Sequence, residues 1–239
     1  MNPPRRLTDT AIARIKEMIA NGELAPGQRL PREQDLALQL GLSRSSLREA
    51  VRALTLVRVL ETRQGDGTYV TSLTSHLLLE SLSFVTHLLR DSQMVEVWEV
   101  RRLLEPAATA QAAARMSPEA HEQLRLLLER FATATSVEET MLADEAFHRH
   151  INGWSGNSLL ASVIETVSVR TLRMRTWRKA TDEAHRVAAY DDHLPLYRAI
   201  VARDPELARA LAAMHVAEGE LWLRRSLTDN MAPGDELTG

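Results

Sequence analysis

Side chains that could bind one metal ion lie near the middle of this 239-residue chain. Asp144 and His148 are four residues apart within Asp-Glu-Ala-Phe-His, so on a helix both project from one face and could chelate an ion together. His193 and His215 lie on later predicted helices, where they could converge on that pair. An Asp/His pair at this spacing is also common on helices that bind nothing, so the spacing alone leaves both interpretations open.

Two arginines near the N-terminus also share a helical face, because Arg44 and Arg48 are four residues apart. Arginine can donate two hydrogen bonds to O6 and N7 of guanine, and the hydroxyls of the neighbouring Ser43, Ser45 and Ser46 can reach bases or phosphates. A solvated arginine face is the alternative explanation of the same spacing.

The elements that must position these arginines are three helices followed by a hairpin. The predicted elements are helices over residues 8–21 and 31–40, a third helix after residue 43, and strands at 60–63 and 68–70. Pro31 suits the first position of the second helix, Gly41 ends that helix, and Ser43 suits the N-cap of the third. The second and third helices, joined by a short glycine-containing turn, form a helix-turn-helix. In this motif the start of the later helix, here the one after residue 43, enters the major groove. The hairpin completes a winged helix.

From residue 76 onward the pattern predicts helices only. They span about 76–90, 93–115, 118–134, 137–152, 157–180, 183–203 and 205–228. Leucine runs in several of them give the wide apolar faces that a helical bundle requires. The predicted fold is therefore mainly α. It has a winged helix-turn-helix over residues 1–72, an all-helical bundle over 76–229 and a disordered tail over 230–239.

Charge and composition are consistent with this division. Residues 1–72 contain 11 Arg and Lys against 8 Asp and Glu, whereas the remainder contains 18 against 24. A basic end joined to an acidic end is typical of a nucleic-acid module fused to another domain. The absence of cysteine excludes disulfides and thiolate zinc sites and fits a reducing cytoplasm. With neither a secretory signal nor an apolar run of about 18 residues, we expect a cytoplasmic protein without a membrane partner.

Motifs over residues 26–37, 41–50 and 63–70 resemble the signature of GntR-family regulators, and the likeness extends over residues 8–70 in order and spacing. The resemblance implies that the start of the second helix, the recognition helix and the wing tip contact double-stranded operator DNA. The residues so implicated are Arg32, Ser43, Arg44, Ser45, Ser46, Arg48, Gln64 and Gly65.

Three positions depart from the family pattern. Arg32 stands where the family usually has a small residue, and Gln34 stands where it often has arginine. A positive charge moved by two positions could keep DNA affinity while changing which base or phosphate is contacted. Residues 57–59, Val-Arg-Val, lack the glycine that is common before the wing.

The helical part resembles the FCD ligand-binding domain in segments 99–106, 144–151, 155–157, 192–194, 199–200 and 213–215. The resemblance implies that Asp144, His148, His193 and His215 hold a divalent metal, and this donor set suits Zn, Ni, Fe or Mn. It also implies that Arg101 faces the pocket and pairs with an effector carboxylate. The planar guanidinium of arginine suits this role, because its geometry matches that of a carboxylate. A salt bridge between Arg101 and Glu105, four residues on, is the alternative. Further candidates for the pocket lining are Arg170, Arg173, Arg175 and Trp177.

Together these features predict a homodimeric transcription regulator whose operator affinity is controlled by a small carboxylic acid bound near the metal. Two symmetric half-sites multiply the few phosphate contacts that one winged helix makes, which favours the dimer. A regulator that senses the metal itself would use the same residues. A metal-dependent hydrolase is disfavoured by the DNA module and by the lack of an obvious carboxylate placed as a general base.

Overall fold

The computed structural model describes the backbone of residues 7–79, 93–179 and 183–229. The chain divides into two compact units, Met1–Leu82 and Ser83–Gly239. The mainly α fold predicted from the sequence is confirmed, since the only strands among the described residues are those of one short hairpin.

The N-terminal unit is a winged helix-turn-helix. Its elements are α1 (Leu7–Ala20), α2 (Glu33–Leu40), α3 (Arg44–Leu56), β1 (Leu60–Arg63) and β2 (Gly67–Val70). Ile15, Leu36, Leu47 and Leu60 are almost inaccessible and form the centre of its core. The inward face of α3 is formed by Leu47 and the helix positions that follow it at helical spacing, all of which are buried. This packing fixes the opposite, arginine-bearing face toward solvent.

The wing is a two-stranded antiparallel hairpin with a third segment beside it. Leu60 pairs with Val70, and Arg63 pairs with Gly67. Leu30 donates its backbone N–H to the carbonyl of Thr68 at 2.8 Å, and Val70 donates to the carbonyl of Gln28 at 2.9 Å. Because an isolated two-stranded hairpin is marginally stable, this third segment helps to hold the wing in place.

The predicted start of the second helix is wrong by two residues. We expected Pro31 at its first position, but α2 begins at Glu33 and Arg32 is its N-cap, with φ −55° and ψ 143°. The backbone pairing of residues 28–30 with β2 keeps the chain extended up to Pro31, so the helix cannot begin there. The N-cap of α3 is confirmed, since the Ser43 hydroxyl accepts the backbone N–H of Ser46 at 3.1 Å.

The turn between α3 and β1 requires a left-handed residue, and Arg58 supplies it with φ 60°. This is the segment in which the glycine common to the family is missing. The Thr71 hydroxyl donates to the carbonyl of Arg58 at 2.7 Å and so fixes the turn. A left-handed conformation costs about 1–2 kcal/mol for a residue other than glycine.

Replacing Arg58 with glycine is expected to change the free energy of unfolding by less than about 1 kcal/mol, because relief of strain is offset by the entropy of the unfolded glycine. Arg58→Val should lower it by about 1–3 kcal/mol, since a β-branched residue resists positive φ. Scanning calorimetry of the full chain measures both. Equal stability of the two variants would contradict a strained turn.

The C-terminal unit is a helical bundle. Its described helices are α4 (Met94–Arg115), α5 (Pro118–Thr133), α6 (Val137–Gly153), α7 (Ser158–Lys179), α8 (Glu183–Val201) and α9 (Pro205–Asp229). Their bounds agree with the predicted ones to within two residues. Residues 75–79 are also helical. Residues 80–90 of the predicted helix 76–90, and the predicted tail 230–239, lie outside the described residues. No described helix is both long and apolar enough to cross a membrane.

Local sequence explains where these helices begin. The Ser117 hydroxyl accepts the backbone N–H of Ala120, and Pro118 occupies the first turn of α5. Asp204 accepts the backbone N–H of Leu207 at 3.0 Å at the start of α9. The core between α5, α6 and α8 includes Phe131 and Phe147, both almost fully buried. These two rings also contact the imidazole of His193 on α8.

Candidate functional site

Four candidate ligands come together from three helices of the C-terminal unit. Asp144 and His148 lie on α6, His193 on α8 and His215 on α9, and one ligand atom from each lies within 4.8 Å of all the others. Asp144 Oδ1 is 3.2 Å from His193 Nε2, and the Nε2 atoms of His148 and His193 are also 3.2 Å apart. The structure therefore brings together all four residues that the sequence nominated.

The spacing and chemistry of these donors fit a divalent ion. Metal–nitrogen and metal–oxygen bonds to zinc are about 2.0–2.2 Å, so two neighbouring ligands of one ion lie about 3.0–3.5 Å apart. The two separations of 3.2 Å lie within this range, and the 3.8 Å between His148 Nε2 and Asp144 Oδ1 is slightly longer than it. Three imidazoles and a carboxylate suit Zn, Ni, Fe or Mn.

His193 is held with one ring nitrogen directed toward the cluster. Its Nδ1 lies 2.7 Å from the carbonyl of Ala189, which can only accept, so Nδ1 carries the proton and Nε2 presents a lone pair. Phe131 stacks on the imidazole with ring centroids 4.3 Å apart, and Phe147 meets it edge-on. A lone pair that faces a carboxylate at 3.2 Å is favourable only when a cation or proton lies between them. The local structure thus orients His193 as a ligand.

A cavity of about 450 Å³, including its open mouth, adjoins the cluster. It is lined by Arg101, Asp144, Glu145, His148, Arg149, Asn152, Glu165 and Ser168. Two of the candidate metal ligands and the candidate effector arginine therefore share one cavity. A small ligand in it could contact both.

Arg101 also makes the salt bridge that the sequence offered as the alternative. It is 4 % exposed and lines the cavity, yet its Nε and Nη2 donate to the two carboxylate oxygens of Glu105 at 2.5 and 3.3 Å. The guanidinium carbon lies 4.3 Å from the ring centroid of Trp98, a cation–π contact. Its pairing with an effector carboxylate stays a prediction.

Several lining residues escaped the sequence analysis. Asn152 continues the spacing of four begun by Asp144 and His148, so the periodicity of α6 could have identified it. Glu165 and Ser168 come from α7, and only the packing of helices places them at the cavity. The side chains of the four further candidates, Arg170, Arg173, Arg175 and Trp177, lie outside the described part of the chain.

In the N-terminal unit, the residues predicted to contact DNA at the start of α3 lie at the surface. Arg44 is exposed at the first residue of the helix. The hydroxyls of Ser45 and Ser46 lie 3.0 and 2.8 Å from that of Ser43. Arg48 is exposed and pairs with Glu33 of α2 at 3.2 Å. An exposed ion pair of this kind is worth about 0–1 kcal/mol, so it opposes transfer of Arg48 to a phosphate or base only weakly.

The wing tip carries the other two predicted residues. Gln64 and Gly65 are exposed, and Gly65 has φ 75°, which favours glycine. They line a cleft of about 930 Å³, including its open mouth, together with Arg32 at the start of α2. The structure therefore brings Arg32 to the same cleft as the wing tip.

A network behind the wing tip was not foreseen from the sequence. The Tyr69 hydroxyl donates to Asp66 at 2.6 Å, and this hydrogen bond raises the pKa of the Tyr69 phenol. Arg29 donates to the backbone carbonyl of Asp66, and Arg63 lies 4.1 Å from the Tyr69 ring centroid. These contacts fix the turn that presents Gln64 and Gly65.

Comparison with known families matches both units. The model of the gntR family of bacterial regulatory proteins matches residues 7–70, and the FCD domain model matches residues 96–218.

Named relatives and a solved structure match over most of the chain. The HTH-type transcriptional regulator LutR of Bacillus subtilis (strain 168) is 31% identical over 208 residues, which are 85% of this chain and 94% of LutR. The putative L-lactate dehydrogenase operon regulatory protein of Escherichia coli K12 is 33% identical over 66% of this chain and 62% of that protein. The galactonate operon transcriptional repressor of the same organism is 28% identical over 88% of this chain and 93% of the repressor. A solved Streptococcus agalactiae GntR structure superposes with a TM-score of 0.63 and 26% identity, covering 90% of this chain and 100% of that one.

Proposed function

Because the chain belongs to the GntR family of DNA-binding bacterial transcription regulators and carries an FCD domain, we propose that a small carboxylic acid, bound beside a divalent metal, controls its affinity for operator DNA. The observation that carries this proposal is the cavity shared by Arg101, Asp144 and His148. The lining of this one cavity offers a carboxylate both the guanidinium of Arg101 and two of the proposed metal ligands.

The proposed metal ligands are Asp144, His148, His193 and His215. When bound, the metal supplies a Lewis acid that can accept an oxygen of the effector. Phe131 and Phe147 hold the His193 ring in place, while Arg101 provides the planar fork for the carboxylate. The chain thus recognises charge and shape without needing to change the effector chemically.

The names of two relatives favour a hydroxy acid as the effector. One is named a putative L-lactate dehydrogenase operon regulatory protein, and the other is named a galactonate operon transcriptional repressor. Lactate and galactonate each carry a hydroxyl next to the carboxylate, and this pair of oxygens can chelate a metal. We therefore propose a small hydroxycarboxylate for this chain as well.

The proposed DNA-reading unit spans residues 1–72, and the proposed sensing unit spans 76–229. We propose that two copies bind the two half-sites of a symmetric operator in the cytoplasm, where the DNA is. The proposed contact residues are Arg32, Ser43, Arg44, Ser45, Ser46, Arg48, Gln64 and Gly65.

Replacing Arg44 with alanine is expected to weaken operator binding by roughly 1–3 kcal/mol and to relax the preference at one base pair, as loss of a bidentate guanine contact would. Binding is measured by gel shift on a site selected from random duplex DNA. The control is Arg14→Ala, which removes an exposed positive charge on α1 of the same unit. Unchanged base preference in Arg44→Ala would remove Arg44 from the reading residues.

The function itself is tested by isothermal titration of the zinc-loaded protein with L-lactate and D-galactonate, followed by gel shifts with each acid. We expect one acid to bind and to change operator affinity, and by linkage the operator must change affinity for that acid by the same factor. Binding with no effect on DNA affinity contradicts the proposal. A change of DNA affinity caused by zinc alone would instead identify a metal-sensing regulator.

A further inference from the structure

We infer that Glu105 is a built-in carboxylate that occupies Arg101 until an effector acid displaces it. The inference rests on the proposed function, and it adds a residue that sets which acids can bind. Glu105 lies one helical turn after Arg101 on α4, and both side chains are about nine-tenths buried or more.

Glu105 makes the contact that an effector carboxylate would make. Its two oxygens accept from Nε and Nη2 of Arg101, which is the bidentate, side-on arrangement of a carboxylate on a guanidinium. One edge of a guanidinium holds one carboxylate in this way. An incoming acid that uses the same edge must therefore take the place of Glu105.

The surroundings allow such an exchange. Trp98 packs against the guanidinium, so Arg101 has a support other than Glu105. Ser168, which lines the cavity, donates to Glu105 Oε1 at 3.4 Å and offers the carboxylate a second contact. Arg101 keeps a carboxylate partner throughout the exchange, so the cost falls on the buried Glu105, and the acid must offset it with a contact elsewhere in the cavity.

This arrangement selects among acids. A carboxylate on the same helix competes as an intramolecular group, whose effective concentration is of the order of millimolar or higher. An acid whose carboxylate contacts Arg101 and nothing else in the cavity, such as acetate, gains too little to displace Glu105. An acid that also places an oxygen on the metal beside Asp144 and His148 gains a second attachment and binds.

The test compares zinc-loaded wild type and Glu105→Gln by isothermal titration with L-lactate and with acetate. We expect Glu105→Gln to bind L-lactate about tenfold more tightly than wild type does, and to bind acetate, which wild type does not bind measurably. The control is Glu165→Gln, because Glu165 lines the same cavity but pairs with Arg149 at 3.3 Å. Equal tightening in both variants would show a general charge effect and overturn the inference.

A second measurement does not depend on the stability of a variant. Crystal structures of zinc-loaded wild type with and without L-lactate should show Glu105 moved away from Arg101 in the complex. Glu105 still paired with Arg101 beside bound lactate overturns the inference alone. If neither wild type nor Glu105→Gln binds either acid, the proposed function fails, and the inference fails with it.

Discussion

Replacing His148 with alanine is expected to weaken divalent-metal binding at least about a hundredfold, since outer-shell changes alone cost 10–100-fold. With free zinc at about 100 times the wild-type dissociation constant, bound metal stabilises wild type by about 2.7 kcal/mol. The variant would lose most of that stabilisation. For a chain of this size the loss lowers the metal-dependent rise in melting temperature by roughly 5–9 °C.

The measurement is a zinc titration followed by elemental analysis and thermal unfolding, with and without chelator. His150→Ala is the matched control, because His150 lies on the same helix, is also partly buried and bonds to the carbonyl of Ala120 instead of the cluster. It should lose about 1 kcal/mol for that hydrogen bond yet keep its zinc affinity. Equal zinc affinity of the two variants would contradict the assignment of His148 as a ligand.

Replacing Arg101 with alanine is expected to lower the free energy of unfolding by about 3–5 kcal/mol, in addition to removing the response to the acid. The reason is the buried carboxylate of Glu105, which would be left without the guanidinium that it now contacts. A loss of effector binding in Arg101→Ala alone would therefore not distinguish lost recognition of the acid from lost stability of the fold.

The double variant Arg101→Ala/Glu105→Gln separates the two effects. It should recover most of the lost stability, because no uncompensated charge remains, while still failing to bind L-lactate. Urea unfolding followed by tryptophan fluorescence measures this, since all four tryptophans lie in the C-terminal unit. A double variant as unstable as Arg101→Ala would show that the ion pair is not the source of the loss.

Much of the fold could be predicted from the sequence because it depends on local interactions. The N-cap of α3 at Ser43 and the N-cap at Ser117 depend on hydroxyls that reach backbone groups within the next turn. The start of α2 could not be predicted in this way. It depends on the pairing of residues 28–30 with a strand that lies about 40 residues later in the chain.

The candidate site also has a part that local spacing predicts and a part that depends on the packing of helices. The shared face of Asp144 and His148 follows from local spacing, because the helical period fixes the direction of side chains four residues apart. His193 and His215 join them only through packing of the bundle, which must first bring α8 and α9 to the site. Packing also makes Arg101 both line the cavity and hold Glu105, two roles that spacing along one helix cannot distinguish. Burial determines that outcome, because a guanidinium removed from water must keep a carboxylate partner.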